Sequence, residues 1–359
     1  MNKVLKGLVA VAATAAMAVA GFAGASTAMA DDPTGGINVA DGDAHTYSVY
    51  QILTGTYGAN GALGNVQAGT DFKEANAAGD QGKDLTAAEA AEKLAKIGST
   101  ESDQTKLAEI LKFAKLTTQY GPDLTADAPL TNVPAGYYLA KDKDGSVTGN
   151  DAQTLYIVKV VGNEAVTITR KADKPTLEKK VKDVNDSTGV KSDWQDSADY
   201  DVNDEVPFQL TATLPTNEAD FAAYKTYKLV FHDQQSAGLT FNKKSVVVKY
   251  GDKTLGAGSY TVTENPEDKD TFDITIADAK AVKDAEDNAI TVAAGGKFTV
   301  EYTSTLNENA VIGSTGNPNE ASLEFSNNPN VGGEGNTGKT PNDKVIVFTY
   351  QLDINKTFN

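Results

Sequence analysis

Apolar and polar residues alternate with a period of two along much of this chain, and that pattern predicts a protein built mainly from β-strands. His45 to Leu53 alternates like a strand, and strands resume at Gly136-Tyr137-Tyr138-Leu139-Ala140 and from Thr154 to Val161. Between them the period changes to that of a helix. Thr86 and Glu89 form a capping box ahead of Ala90, Ala91, Leu94, Ala95 and Ile97, and a second amphipathic stretch carries Leu107, Ile110, Leu111 and Ala114. Asp173-Lys174-Pro175 marks a boundary, because proline cannot continue a ladder. From there to about Pro329, strands separated by turn clusters, such as Asn185-Asp186-Ser187 and Asn265 to Asp270, predict a β-sandwich. The stretch from Gly332 to Gly338 reads as a linker. Beyond it Ile346, Phe348, Tyr350, Leu352, Ile354 and Lys356 share one parity, as a single strand would arrange them.

In three strands the alternation carries a reactive residue onto the apolar side. Lys179 shares a face with Leu177 and Val181, Asp233 with Tyr227, Leu229 and Phe231, and Asn327 with Leu323 and Phe325. A Lys, an Asp and an Asn are thereby directed into one core. Burying an unpaired charge is so costly that such a Lys and Asp tend to neutralise each other. A neutral Lys179 amine is a nucleophile for the Asn327 carboxamide. Protonated Asp233 would hydrogen-bond the amide oxygen and shuttle protons while ammonia leaves and an amide bond joins two strands. The same parity fits a buried Lys–Asp ion pair beside a hydrogen-bonded Asn equally well.

The words KPTLEKKVKDVNDSTG, SDWQDSADYDVNDEVPFQL, YKLVFHDQQSAGLTF and ASLEFSNNPN resemble the isopeptide-forming second domain of Gram-positive fimbrial shaft pilins, over about residues 172 to 335. The resemblance implies tandem Ig-like or Cna-B-like β-sandwiches, the first with inserted helices: a signal peptide over 1–30, an N-terminal pilin domain over 31–171, the isopeptide domain over 172–335, and a linker and first strand of an incomplete third domain over 336–359. It assigns the bond to Lys179 and Asn327 with Asp233 assisting. Glu301 is the rival acid, although alternation sets it with Lys297, Thr299 and Thr303 on the polar face. Pilin polymerisation also needs an acceptor lysine, and Lys171 holds that position, with Lys174 behind it, although the Tyr and Pro of the usual word are absent. Lys356 falls where a third domain's bonding lysine would stand, so the chain reads as C-terminally truncated ahead of a further sandwich and a sorting signal.

Composition narrows the rest. Lys3 and Lys6 precede an apolar run from about Leu8 to Ala23, and Ala28-Met29-Ala30 supplies a cleavage site before Asp31, which predicts secretion. The chain has no cysteine, so disulfides cannot stabilise it outside the cell. A net charge of −17 argues against nucleic acid as a partner. No phosphate-binding loop and no zinc spacing around His45 or His232 points to a cofactor or metal. Asp196, Asp199, Asp201 and Asp204 lack the order of a calcium loop and read as a solvated face. Two function classes follow. One is a wall-attached fimbrial subunit, not an enzyme, whose partners are other pilins and a class C sortase and which supports adhesion. The other is a surface adhesin whose first domain binds host matrix or glycans, against which the lone Trp194 counts.

Overall fold

The computed structural model describes residues 34–57, 63–73, 85–96, 101–160, 165–184, 188–333, 335 and 337–351 of the 359-residue chain. The expected signal peptide with its Ala30–Asp31 junction, Ile97, the Asn185-Asp186-Ser187 turn, Leu352, Ile354 and Lys356 lie outside the described residues. The chain divides into two compact units at Ala172/Asp173, with residues 222–225 and 328–332 grouping with the first.

The first unit contains β1 (Gly35–Val39), β2 (Tyr47–Tyr57), β3 (Leu63–Ala68), α1 (Ala87–Lys96), α2 (Asp103–Ile110), β4 (Leu130–Val133), β5 (Gly136–Asp142), β6 (Leu155–Val160) and β7 (Ala165–Ile168). A three-stranded sheet, ordered β4-β1-β7, and a four-stranded sheet, ordered β3-β2-β5-β6, share a core of Ile37, Tyr47, Val49, Leu124, Val133, Tyr138 and Ala140. The helices cover the other face of the larger sheet. Ala90, Ala91, Leu94 and Ile110 pack with Leu53, Tyr137 and Leu139, so β5 is buried on both sides and reads as a run of apolar residues rather than an alternation. Gly136 is required where β2 bulges against β5, because a Cβ there would lie 2.3 Å from the Leu53 carbonyl oxygen. The capping box forms as the sequence predicts: the Thr86 amide donates to Glu89 Oε2 at 2.9 Å, and the Glu89 amide donates to Thr86 Oγ1 at 3.3 Å. The second helix ends at Ile110, four residues short of Ala114, the last residue of its apolar stripe. Leu111 becomes its C-cap and is 41% exposed.

The second unit is a two-sheet sandwich. Its strands are β8 (Thr176–Val181), β9 (Ser197–Asp199), β10 (Glu205–Thr213), β11 (Leu229–Gln235), β12 (Leu239–Tyr250), β13 (Lys253–Thr254), β14 (Thr261–Glu264), β15 (Phe272–Ile276), β16 (Lys297–Leu306), β17 (Asn317–Ser326), β18 (Thr337–Lys339) and β19 (Asp343–Phe348). One sheet is ordered β13-β12-β16-β10-β8; the other is ordered β14-β15-β11-β17-β19-β9, with β18 also on β17. β10 and β16 alternate buried residues with half-buried or exposed ones along their whole length, as strands do when one face meets a core and the other meets water.

The stretch around Ile346, expected to open a third domain, instead completes this sandwich. β19 pairs antiparallel with β17 through Asn317↔Val347 and Ala321↔Asp343, and parallel with β9. Its buried residues are Val345 and Val347, of opposite parity to Ile346 and Phe348. Part of the expected linker likewise forms β18 against β17. The physical reason is that β17 offers a long edge, and a lone apolar strand is stable only when added to such an edge.

Candidate functional site

Lys179 sits in the middle of β8, opposite Leu210 of β10, and alternation turns it into the sandwich, where it is fully buried. Its Nζ donates to Asp233 Oδ2 at 2.5 Å and to Tyr302 Oη at 2.9 Å. Asp233 comes from β11 in the facing sheet, and Tyr302 from β16 in the sheet of Lys179. The Tyr302 hydroxyl donates to Asp233 Oδ2 at 2.7 Å, and the same oxygen accepts from Asn319 Nδ2 at 2.9 Å. The amine of Lys179 and the amide nitrogen of Asn319 therefore lie on one phenol oxygen and are no further apart than twice that distance. Asp233 Oδ1 and Asn319 Oδ1 are both buried without a hydrogen-bond partner, an arrangement that costs free energy at rest.

The walls of this site are aromatic. Phe208 stacks on Tyr302 at 5.4 Å, Phe272 and Phe241 meet it edge-on at 5.0 and 5.7 Å, and Lys179 Nζ lies 5.5 Å from the Phe208 ring centre. Burial pushes the Lys179 amine below its ordinary pKa against the pull of Asp233, and burial pushes the Asp233 carboxyl up against the pull of Lys179. Both directions favour a neutral amine beside a neutral acid. Burial and the neighbouring Asp233 raise the Tyr302 phenol well above its ordinary value, so it stays protonated.

The structure brings Lys179 and Asp233 together but does not bring Asn327 to them. Asp233 lies opposite Ala321, whereas β17 ends at Ser326. Asn327 is thus about six positions further on, roughly 20 Å along an extended chain. It is largely buried, its Oδ1 has no partner, and it makes no hydrogen bond to Lys179. Asn319, with the same parity, is the amide within reach. Glu301 faces outward, paired with Lys249 at 2.9 Å and accepting from Gln209.

Lys171, the acceptor lysine that the resemblance implies, is only 7% exposed, and its Nζ lies 2.9 Å from Asp103 Oδ2, itself buried at the start of α2. Asp196, Asp199 and Asp201 are exposed, and Lys180 pairs with Asp196 at 2.6 Å. His232 is covered by carboxylates: its Nδ1 lies 2.9, 3.1 and 3.3 Å from oxygens of Asp273, Asp270 and Asp268. Among the described residues this is the group whose ligand atoms, all within 4.8 Å of one another, could hold a cation. In the first unit Asp142 ends β5 fully buried. It accepts from the Thr154 amide at 2.5 Å and lies 2.9 Å from His45 Nδ1.

The chain is similar to surface pilins of Gram-positive bacteria. It is 27% identical to the trypsin-resistant surface T6 protein of Streptococcus pyogenes serotype M6 over 204 residues, which are 53% of this chain and 35% of that protein. The solved T6 backbone pilin of that serotype, described as modular with three domains, superposes with a TM-score of 0.46 at 18% identity, covering 90% of this chain and 65% of the other. The full-length major pilin SpaD of Corynebacterium diphtheriae gives a TM-score of 0.45 at 17% identity, covering 87% and 65%. The chain thus spans about a third of the length of the curated relative. No protein-family model matches it.

Proposed function

We propose that this chain is a structural subunit of a cell-surface pilus, hardened by an autocatalytic amide bond between Lys179 and Asn319 with Asp233 as the acid. The observation that carries the reading is the buried cluster of Lys179, Asp233, Tyr302 and Asn319 between the two sheets. Removed from water, the neutral Lys179 amine attacks the Asn319 carboxamide carbon. The Asp233 proton moves to the amide oxygen as the carbon becomes tetrahedral, and collapse expels ammonia. The product joins β8 to β17, near the start and the end of the sandwich. The reaction occurs once per molecule and turns over no substrate, which fits a structural role. Sequence similarity to a surface T6 protein supports a place at the cell surface; assembly with other copies by a class C sortase into a wall-attached fibre that serves adhesion completes the proposal. Lys171, buried on Asp103, is poorly presented as the acceptor in such assembly, and the half-buried Lys174 is the better candidate.

The test is the intact mass of the folded full chain. It should be lighter by one ammonia than the sequence implies, and Lys179→Ala should show its full calculated mass. Equal agreement of both proteins with their calculated masses would remove the cross-link from the proposal.

A further inference from the structure

We infer that Tyr302 is the proton relay of the cross-linking reaction, taking a proton from the attacking Lys179 nitrogen and delivering one to the departing Asn319 nitrogen; this rests on the Lys179–Asn319 bond proposed above. The acid alone has no direct path to both nitrogens. Lys179 Nζ touches Asp233 and Tyr302, but Asn319 Nδ2 has its hydrogen bond with Tyr302 and none with Asp233. The Tyr302 hydroxyl in turn donates to Asp233 Oδ2. Any hydrogen-bonded route from Asp233 to the leaving group therefore runs through the phenol.

The proton count closes on these four groups. The reaction starts with a neutral Lys179 amine, a neutral Asp233 and the Tyr302 phenol. As Nζ bonds to the Asn319 carbon, the Asp233 proton passes from Oδ1 to the amide oxygen. Nζ then gives one proton to Tyr302 Oη while Tyr302 gives its own to Asp233 Oδ2. On collapse the transfer reverses along the other arm: Asp233 returns a proton to Tyr302, Tyr302 protonates Nδ2, and the hydroxyl proton goes back to Asp233. The carbon–nitrogen bond to Nδ2 breaks and ammonia leaves. Both Asp233 and Tyr302 end protonated as they began, and no outside acid or base is consumed.

Geometry also restricts what can replace the phenol. Phe208, Phe272 and Phe241 close around the ring and exclude water from the position of the hydroxyl. Tyr302→Phe keeps those contacts and removes only the relay atom.

The experiment follows cross-linking in time. Full chain made by cell-free synthesis is held unlinked in guanidinium and refolded by dilution, and loss of ammonia is read by mass. Tyr302→Phe should fold but cross-link about a hundred-fold more slowly or worse, the usual contribution of a positioned proton carrier. Refolding is monitored by comparing its circular dichroism with that of Lys179→Ala. Should the Phe variant fail to fold, 3-fluorotyrosine placed at 302 keeps the shape and makes the phenol more acidic, and it should shift the pH profile of cross-linking. A folded Tyr302→Phe that links at the wild-type rate, or a fluorinated chain with an unmoved pH profile, would overturn the relay. A wild-type chain that never loses ammonia would instead overturn the cross-link itself.

Discussion

At the scale of the residue, the site depends on which asparagine lies level with Asp233. Alternation identifies the face a side chain points to, and on that basis Lys179 and Asp233 were both legible in the sequence. It is blind to position along the strand. Asn319 in β17 and Asn327 just beyond it have the same parity, and only the register of β11 on β17, with Gln235 opposite Asn319, separates them. Tyr302 was legible by the same rule, since it shares parity with the buried Phe298 and Val300, but parity alone does not tell a packing tyrosine from one whose hydroxyl meets a lysine and an acid. Asn319→Ala should therefore give a folded chain of unmodified mass, whereas Asn327→Ala should lose its ammonia as the wild type does. The reverse result would restore Asn327. Asp233→Ala should assemble the sandwich but remain unlinked, because it removes the proton carrier and leaves the nucleophile, and a gel of denatured protein would show it migrating like Lys179→Ala.

At the scale of the element, buried ion pairs tie chain segments that local pattern could not connect. Lys171 follows β7 and Asp103 opens α2, and sequence distance gives no hint of their pairing at 2.9 Å. Asp103→Asn would remove the carboxylate that lies 2.9 Å from the buried Lys171 ammonium, which should cost about 3 kcal/mol in denaturant unfolding. A loss below about 1 kcal/mol would mean that Lys171 turns out to water. His45 likewise ties the entry of β2 to the end of β5. Its hydrogen bond to Asp142 raises it above the ordinary 6.5, opposed by burial and helped by the charges of Asp142, Asp43 and Asp151, with Arg170 paired to Asp151. A folded value above the unfolded one gives stability that is complete below the unfolded value and lost as pH rises through the folded one. The melting temperature lost in His45→Gln should thus be larger at about pH 6 than at about pH 9. A difference independent of pH would show that the pairing is not ionic. The α1 capping box was legible because it is local. The place of β19 was not, because it depends on the edge that β17 offers.

At the scale of the whole molecule, the chain has no cysteine and so no disulfide, and the proposed lysine–asparagine bond would supply a covalent clamp in its place. The bond from Lys179 to Asn319 would close a loop of about 140 residues, for which loop-closure entropy suggests about 5 kcal/mol relative to the open chain. For a domain of this size that corresponds to roughly 10–20 °C in melting temperature. Lys179→Ala should lose that margin, become sensitive to protease, and extend by the length of the loop when pulled from its ends. For tension that passes between β8 and β17, the bond carries it past the hydrogen-bonded ladders between those two strands. The measurement that tests the account most directly is a fragment map of the digested wild-type chain. It should contain a branched peptide joining Lys179 to Asn319 and lacking one ammonia, with Asn327 recovered in an unmodified linear peptide. Recovery of Lys179 in a linear peptide, with Asn319 intact, would contradict it.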